Sequence, residues 1–284
     1  MRHISVCVMV VLFLGSGILH YRAAAAPQSA DLLRIAKNGR VLHSPTLKAI
    51  FWGGEWNDAT FARDIISGLD ALLAGYSSSQ YAFTLTEYYD RTGSITPYAT
   101  YTGSQVDSSP APASGTLTGS VAIAKVCAAT GDNPDSNGAY FLFTSTPKAP
   151  DAPGTACGFH TSGTCSNGKP LQVIGVPYTT GEIGSGCQGV QDTVTGHSLA
   201  LAQMANLAMH ELAETITDPR GTGWRDSYGA EIGNKCIMTF PADVEQYPVF
   251  TDGSVWKLQG LWSNTAFLAG TGAPNRSGQN ACVW

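Results

Sequence analysis

Charge is what this sequence has least of. Asp, Glu, Lys and Arg make up 13% of its 284 residues, about half the usual share in soluble proteins. That shortage excludes a coiled coil and disorder of the charged kind, both of which depend on abundant ionised side chains. With a formal net charge of −5 there is no basic surplus to meet phosphates, so nucleic acid is not an expected partner. Internal repeats and a long low-complexity linker are also missing, which leaves one domain. No C-x₂-C pair is present, which argues against a cysteine-ligated zinc. A G-x-S-x-G elbow is absent too, so a serine hydrolase would lack its nucleophile turn.

What is there begins with a leader. Arg2 and His3 precede an apolar run over residues 4–19, interrupted by Gly15, Ser16 and Gly17, and residues 23–26 are all alanine ahead of Pro27. This is the layout of a secretory signal peptide over residues 1–25, cleaved after Ala25 because a bond directly before Pro27 is a poor substrate. The run is too short and too broken to span ~30 Å of hydrocarbon, so no membrane span is expected after cleavage, and the mature protein is expected to be secreted. Cleavage removes Arg2 and Arg22, taking the charge from −5 to −7, and removes Cys7. Six cysteines remain (Cys127, Cys157, Cys165, Cys187, Cys236 and Cys282), an even set that reads as a disulfide framework. Closeness in sequence favours Cys157 with Cys165, and a Cys236–Cys282 bond would tie down the C-terminus.

Residues 26–45 read as an N-terminal extension and 46–284 as the domain proper. The apolar stretch 46–53 fits a buried strand. Asp58 is a good cap for a helix with Phe61, Ile65, Ile66, Leu69 and Leu72 on one face. Residues 82–89 look like a strand, 92–118 like a polar surface loop, and 119–129 like a short helix carrying Cys127. Residues 139–145 and 171–177 are strong strand candidates with a cysteine-containing loop between them. The longest helical signal runs from Ser198 to Thr217, small or apolar on nearly every face and therefore buried, and Asp218-Pro219 ends it. Residues 256–268 read as strands and turns. Interleaved strands and helices predict an α/β domain (α+β as the alternative) with a mixed sheet, stabilised by disulfides.

The long helix carries the chemistry. His210 and Glu214 stand four residues apart and so share a face, with Glu211 beside them: the H-E-x-x-H geometry with a glutamate as the second ligand. Such a zincin-like helix would grip a metal through His210 and Glu214 and use Glu211 as general base. Downstream, Asp218, Asp226 and Glu231 lie in a Gly-rich turn region that can fold back over the helix. Asp226 or Glu231 is the preferred third ligand, and His160 and His197 are the upstream candidates. Zn²⁺ suits the mixed nitrogen and oxygen donors, with Ca²⁺ as the alternative because of the carboxylates. H-E-x-x-E also arises by chance on ordinary surface helices. Against that, three ionisable groups on an apolar helix are costly without a partner, and this protein is short of charge everywhere. The tryptophans and tyrosines could line a carbohydrate groove, although aromatics are more often core. Asn275-Arg276-Ser277 fits the acceptor pattern for N-glycosylation.

Taken in order, LKAIFWGGEW, TEYYD, NGAYFLFTST, ACGFHTSGTC, the stretch reaching His197, and ANLAMHELAETITDPRGTGW resemble the exordium (phosphate-induced protein 1) family over roughly residues 46–236. Plant members resemble this chain around Cys157, His160 and His197 but lack the His210-to-Glu214 signature. Microbial members are closer, with H-E-x-x-E-x-x-T-D-P followed by W-x-D, G-x-E and an aspartate where this chain has Asn234. The resemblance implies an extracellular or cell-wall-associated protein, and the family has no established biochemical activity. Two functions follow as expectations. One is a zinc-dependent peptidase-like hydrolase acting on an extracellular peptide. The other is a non-catalytic cell-wall protein in which the cluster holds a structural ion.

Overall fold

The computed structural model describes residues 29–113, 116–147, 157–179, 192 and 194–284. The leader and Cys187 lie outside the described residues. The chain forms a mixed α/β fold around a five-stranded sheet. The elements that build this sheet and its flanking layers are β1 (Thr46–Trp52), α1 (Ile65–Gly75), β2 (Thr100–Asp107), α2 (Gly119–Ala129), β3 (Gly138–Pro147), β4 (Phe159–Thr164), β5 (Pro170–Tyr178) and α3 (Leu199–Thr217). The strands lie in the order β2-β1-β3-β5-β4. β1, β2, β3 and β5 run parallel, and β4 pairs antiparallel with β5, His160 standing opposite Ile174.

The central strands are continuous apolar runs because both faces are covered. Ala49, Phe51, Phe141, Phe143, Ile174 and Val176 point into the larger core, which α1 and α3 close. Their sequence neighbours Ile50, Trp52, Tyr140, Leu142 and Val173 point to the opposite face, against Val126 and Cys127 of α2. The period of two continues along β4. Phe159 packs with the α2 layer, so His160 is directed to the side of α3.

Several expectations need correction. The helix expected from Asp58 is broken. Asp58 caps a single turn, Ala59–Ala62, and Arg63 at φ 47° interrupts the chain before α1 begins. Asp64, beside the break, accepts the Ser198 amide at 2.8 Å where α3 starts. Residues 82–88 are not a strand, and only Tyr89 enters one, the two-residue Tyr89–Asp90. Gln80–Phe83 form a helical turn capped by Ser79, and Thr84 and Thr86 return their hydroxyls to carbonyls three residues back. The alternating aromatics there serve the core: Tyr81 and Tyr88 donate to the carbonyls of Gln259 and Trp262. The polar segment 92–118 contains β2, an edge strand whose exposed side carries Thr100, Thr102, Ser104 and Val106. The cysteine-containing loop between β3 and β5 likewise contains β4. Asn264–Ala269 is a helix, capped by Ser263 and ended by Gly270 in the left-handed region.

Cys236 is bonded to Cys282 as expected, but Cys165 pairs with Cys127 rather than Cys157. The turn after β4 carries Cys165 across the end of α2, where the Cα atoms of Cys127 and Cys165 stand 5.5 Å apart, an ordinary disulfide span. Trp52, Trp56, Trp224, Trp256 and Trp262 are all buried, so these tryptophans belong to the core and offer no carbohydrate platform. Asn275 organises a turn through both ends of its carboxamide, donating to Lys235 O and accepting from Ser277 N and Gln279 N. No described helix is long and apolar enough to cross a membrane.

Candidate metal centre

α3 is buried along almost its whole length, including the segment that bears His210, Glu211 and Glu214. The helix stops where Asp218 turns its carboxylate back to accept from Gly223 N (2.6 Å) and Arg225 Nε (2.5 Å). That turn reverses the chain, and the segment 226–235 crosses the flank of α3. Glu231 and the Asn234 amide then face the helix from one side, while β4 brings His160 from the other.

The side chains meet in one continuous network. His210 Nε2 lies 3.2 Å from Glu214 Oε1, and His160 Nε2 lies 3.8 Å from Glu214 Oε2. His160 Nε2 is also 3.3 Å from Glu231 Oε1, which takes a further contact from Arg225 Nη2 at 3.2 Å. Asn234 N donates to Glu214 Oε1 at 3.0 Å. His160, Glu211 and Glu214 each offer a ligand atom within 4.8 Å of the other two. A tetrahedral ion with bonds of about 2.1 Å holds its ligand atoms about 3.4 Å apart, and the contacts within this network bracket that spacing.

Two glycines make the approach possible. A Cβ on Gly233 would stand 2.9 Å from His210 Nδ1 and 3.0 Å from Glu214 Oε1, and one on Gly158 would stand 3.3 Å from Glu211 Cγ. A side chain on Gly233 would force His210 or the loop to shift, and one on Gly158 would press more lightly on Glu211.

Three buried carboxylates in one place cannot all ionise freely. Burial pushes Glu211 up to about 7, with the charge of Glu214 adding to the shift and His210 opposing it. Burial raises Glu231 too, and Glu214 again reinforces it. Glu214 is held below the ordinary carboxylate range despite burial, because His210, His160 and the Asn234 amide outweigh the desolvation. Burial would lower His210, but Glu214 beside it lifts it to about 10. His160 is raised as well, burial being outweighed by Glu231 and Glu214.

Of the residues singled out from sequence, His210, Glu211, Glu214 and Glu231 come together. Asp226 does not join them: its Oδ2 is bound by Lys235 Nζ at 2.8 Å and its Oδ1 accepts the amides of Tyr228 and Ala230. Asp218 lines the cleft but is occupied by Arg225 and Gly223. Of the two upstream histidines, His160 enters the cluster, whereas His197 stacks on Trp256 with ring centroids 3.9 Å apart. Arg225 and Gly233 carry no role in the sequence reading, and Asn234 enters it only as a departure from the microbial aspartate; the G-x-E-x-G-N spacing after the turn is the signal for Gly233 and Asn234.

The cluster floors a cavity of about 490 Å³. One wall is the stretch 158–162 of β4 and its approach, and the other is the turn of Pro219, Arg220 and Gly221. Compared with known families, curated proteins and solved structures, this chain matches none of them.

Proposed function

We propose that this protein is a secreted, exordium-like metalloprotein that binds zinc through His160, His210, Glu214 and Glu231 and hydrolyses peptide bonds, with Glu211 as general base. The observation that carries the reading is the run of close contacts linking His210 to Glu214 (3.2 Å), Glu214 to His160 (3.8 Å) and His160 to Glu231 (3.3 Å), with Glu211 within 4.8 Å of His160 and Glu214, where a dication would relieve carboxylates that the protein's own cations balance only in part. Two imidazoles among the donors favour zinc over calcium, which prefers oxygen ligands. An ion held there supplies Lewis acidity at a carbonyl oxygen and acidifies water. Glu211, raised by burial toward neutrality, is suited to take a proton from an attacking water and return it to a leaving amine. The edge strand β4 supports the choice of substrate: its outer side has no strand partner among the described residues, so an extended peptide can lie along it and reach the cluster. The helix that carries the ligands, packed against a mixed sheet with an antiparallel edge strand, is in keeping with a zincin-like arrangement.

The test is direct. Purified secreted protein is expected to hold one zinc and to cleave casein, with chelator abolishing cleavage and Glu211→Gln removing it while zinc is retained. Zinc without cleavage in either form would assign the site to a structural ion in a non-catalytic cell-wall protein. No zinc uptake at micromolar supply defeats the metal reading altogether.

A further inference from the structure

The segment that delivers Glu231 and Asn234 to the helix is closed at its neck by a buried ion pair. Lys235 and Asp226 are 5% and 4% exposed in their side chains and meet at 2.8 Å. Neither lines the cavity. The Lys235 ammonium also sits 4.0 Å from the centroid of the Trp262 ring. Asp226 uses its other oxygen on the amides of Tyr228 and Ala230, both at 2.9 Å. The backbone repeats the closure, since Lys235 N donates to Glu231 O at 3.1 Å and Trp262 N to Ile232 O at 3.1 Å. The following residue, Cys236, is bonded to Cys282.

A buried ion pair is a poor way to add stability, because desolvation offsets most of the attraction, and apolar residues of similar volume would serve as well. What it imposes is geometry. The carboxylate must meet two amides and an ammonium, and the ammonium must stay over an indole face, so only one course of the loop satisfies all of them. That course is the one in which Glu231 reaches His160, the Asn234 amide reaches Glu214, and Gly233 lies against His210. We infer that Asp226 and Lys235 are a positioning pair for the metal centre, holding the loop that supplies one ligand and orients another. This inference rests on the zinc reading of the site.

The test uses the full secreted chain, stripped of metal, with Zn²⁺ alone as the probe in competition with a chromophoric chelator. Lys235→Met keeps the volume and the contact with Trp262 but loses the charge. It is expected to unfold cooperatively and to bind zinc about 10–100-fold more weakly, the usual cost of losing an outer-shell support. The visible spectrum of the Co²⁺-loaded form should change with it, which a merely structural role would not require. Asp226→Asn, which keeps the Oδ1 acceptor, should weaken zinc similarly, and the double variant should be no weaker than either single one. If Lys235→Met does not fold, Asp226→Asn carries the comparison. Zinc affinity within twofold of wild type and an unchanged Co²⁺ spectrum in the folded variants would overturn the pair's role while leaving the zinc reading intact. A wild-type chain that takes up no zinc overturns both.

Discussion

Among the described residues, two places bring histidine, arginine and carboxylate together, and they are built on different principles. Around Asp90 a single carboxylate is surrounded by donors: Val41 N, Thr92 N, the Thr92 hydroxyl, His43 Nε2 and Arg40 Nε. Its side chain is wholly buried, yet those donors outweigh burial and hold it well below the usual carboxylate range. At α3 donors are scarce, with Glu211, Glu214 and Glu231 sharing two imidazoles, one guanidinium and one amide. Burial there leaves Glu211 and Glu231 raised. A buried carboxylate outnumbered by its donors is a structural fastening. Buried carboxylates left with little more than one donor each form a place for a cation.

The comparison breaks most visibly at Asp90. Asp90→Ala leaves two backbone amides and three side-chain donors without their acceptor, and a loss of about 3 kcal/mol is expected in urea unfolding. The pH dependence follows with a definite sign. A carboxylate whose folded pKa is depressed contributes its full stability above the unfolded value of about 3.9 and loses it as pH falls through the folded value. Asp107, taken down to about 2 by Lys125 and Ser109 against the effect of burial, acts in the same direction. Stability should therefore fall on acidification below about pH 4, and the fall should be shallower in Asp90→Asn. A loss as steep in that variant as in wild type would remove Asp90 from the account.

Zinc sharpens the other side of the comparison. At 100 times its dissociation constant, an ion that binds only the folded state adds about 2.7 kcal/mol, read as a rise in the unfolding midpoint that Glu214→Gln abolishes. Gly233→Ala comes next. Its methyl group would press on His210 and Glu214, with an expected cost of about 2 kcal/mol for overpacking and loss of the zinc-dependent increment. A variant that kept the increment would show that the loop can yield without disturbing the ligands.

How far all this could be read from the chain differs by element. β1, β3, β5 and α3 are legible because each is buried on more than one side, and burial leaves a continuous apolar signal. β2 and β4 are not, because an edge strand needs one apolar face at most, and TYTGSQVD and FHTSGT look like loops. His210, Glu211 and Glu214 are legible because helical spacing alone places them together. Asp226 and Glu231 cannot be told apart by spacing. Both are carboxylates in the same Gly-rich turn, and only the fold puts Lys235 beside one and His160 beside the other. The Cys157–Cys165 pairing fails on the same ground, whereas Cys236–Cys282 forms as expected. Nearness in sequence favoured Cys157 for Cys165, but the strand β4 lies between them and carries Cys165 away to α2.

The smallest expected effect discriminates best. Glu211→Gln replaces a buried carboxyl, raised to about 7, with a neutral group of nearly the same shape. In the metal-free protein near neutral pH this removes a charge that the site already tolerates poorly, so the unfolding free energy should change by less than about 1 kcal/mol. If Glu211 were fastened as Asp90 is, the same substitution would cost several times more, and the distinction between the two clusters would fail. Near-neutral stability together with lost hydrolysis would place Glu211 where its surroundings already suggest: a residue kept for what it does to a proton, at no benefit to the fold.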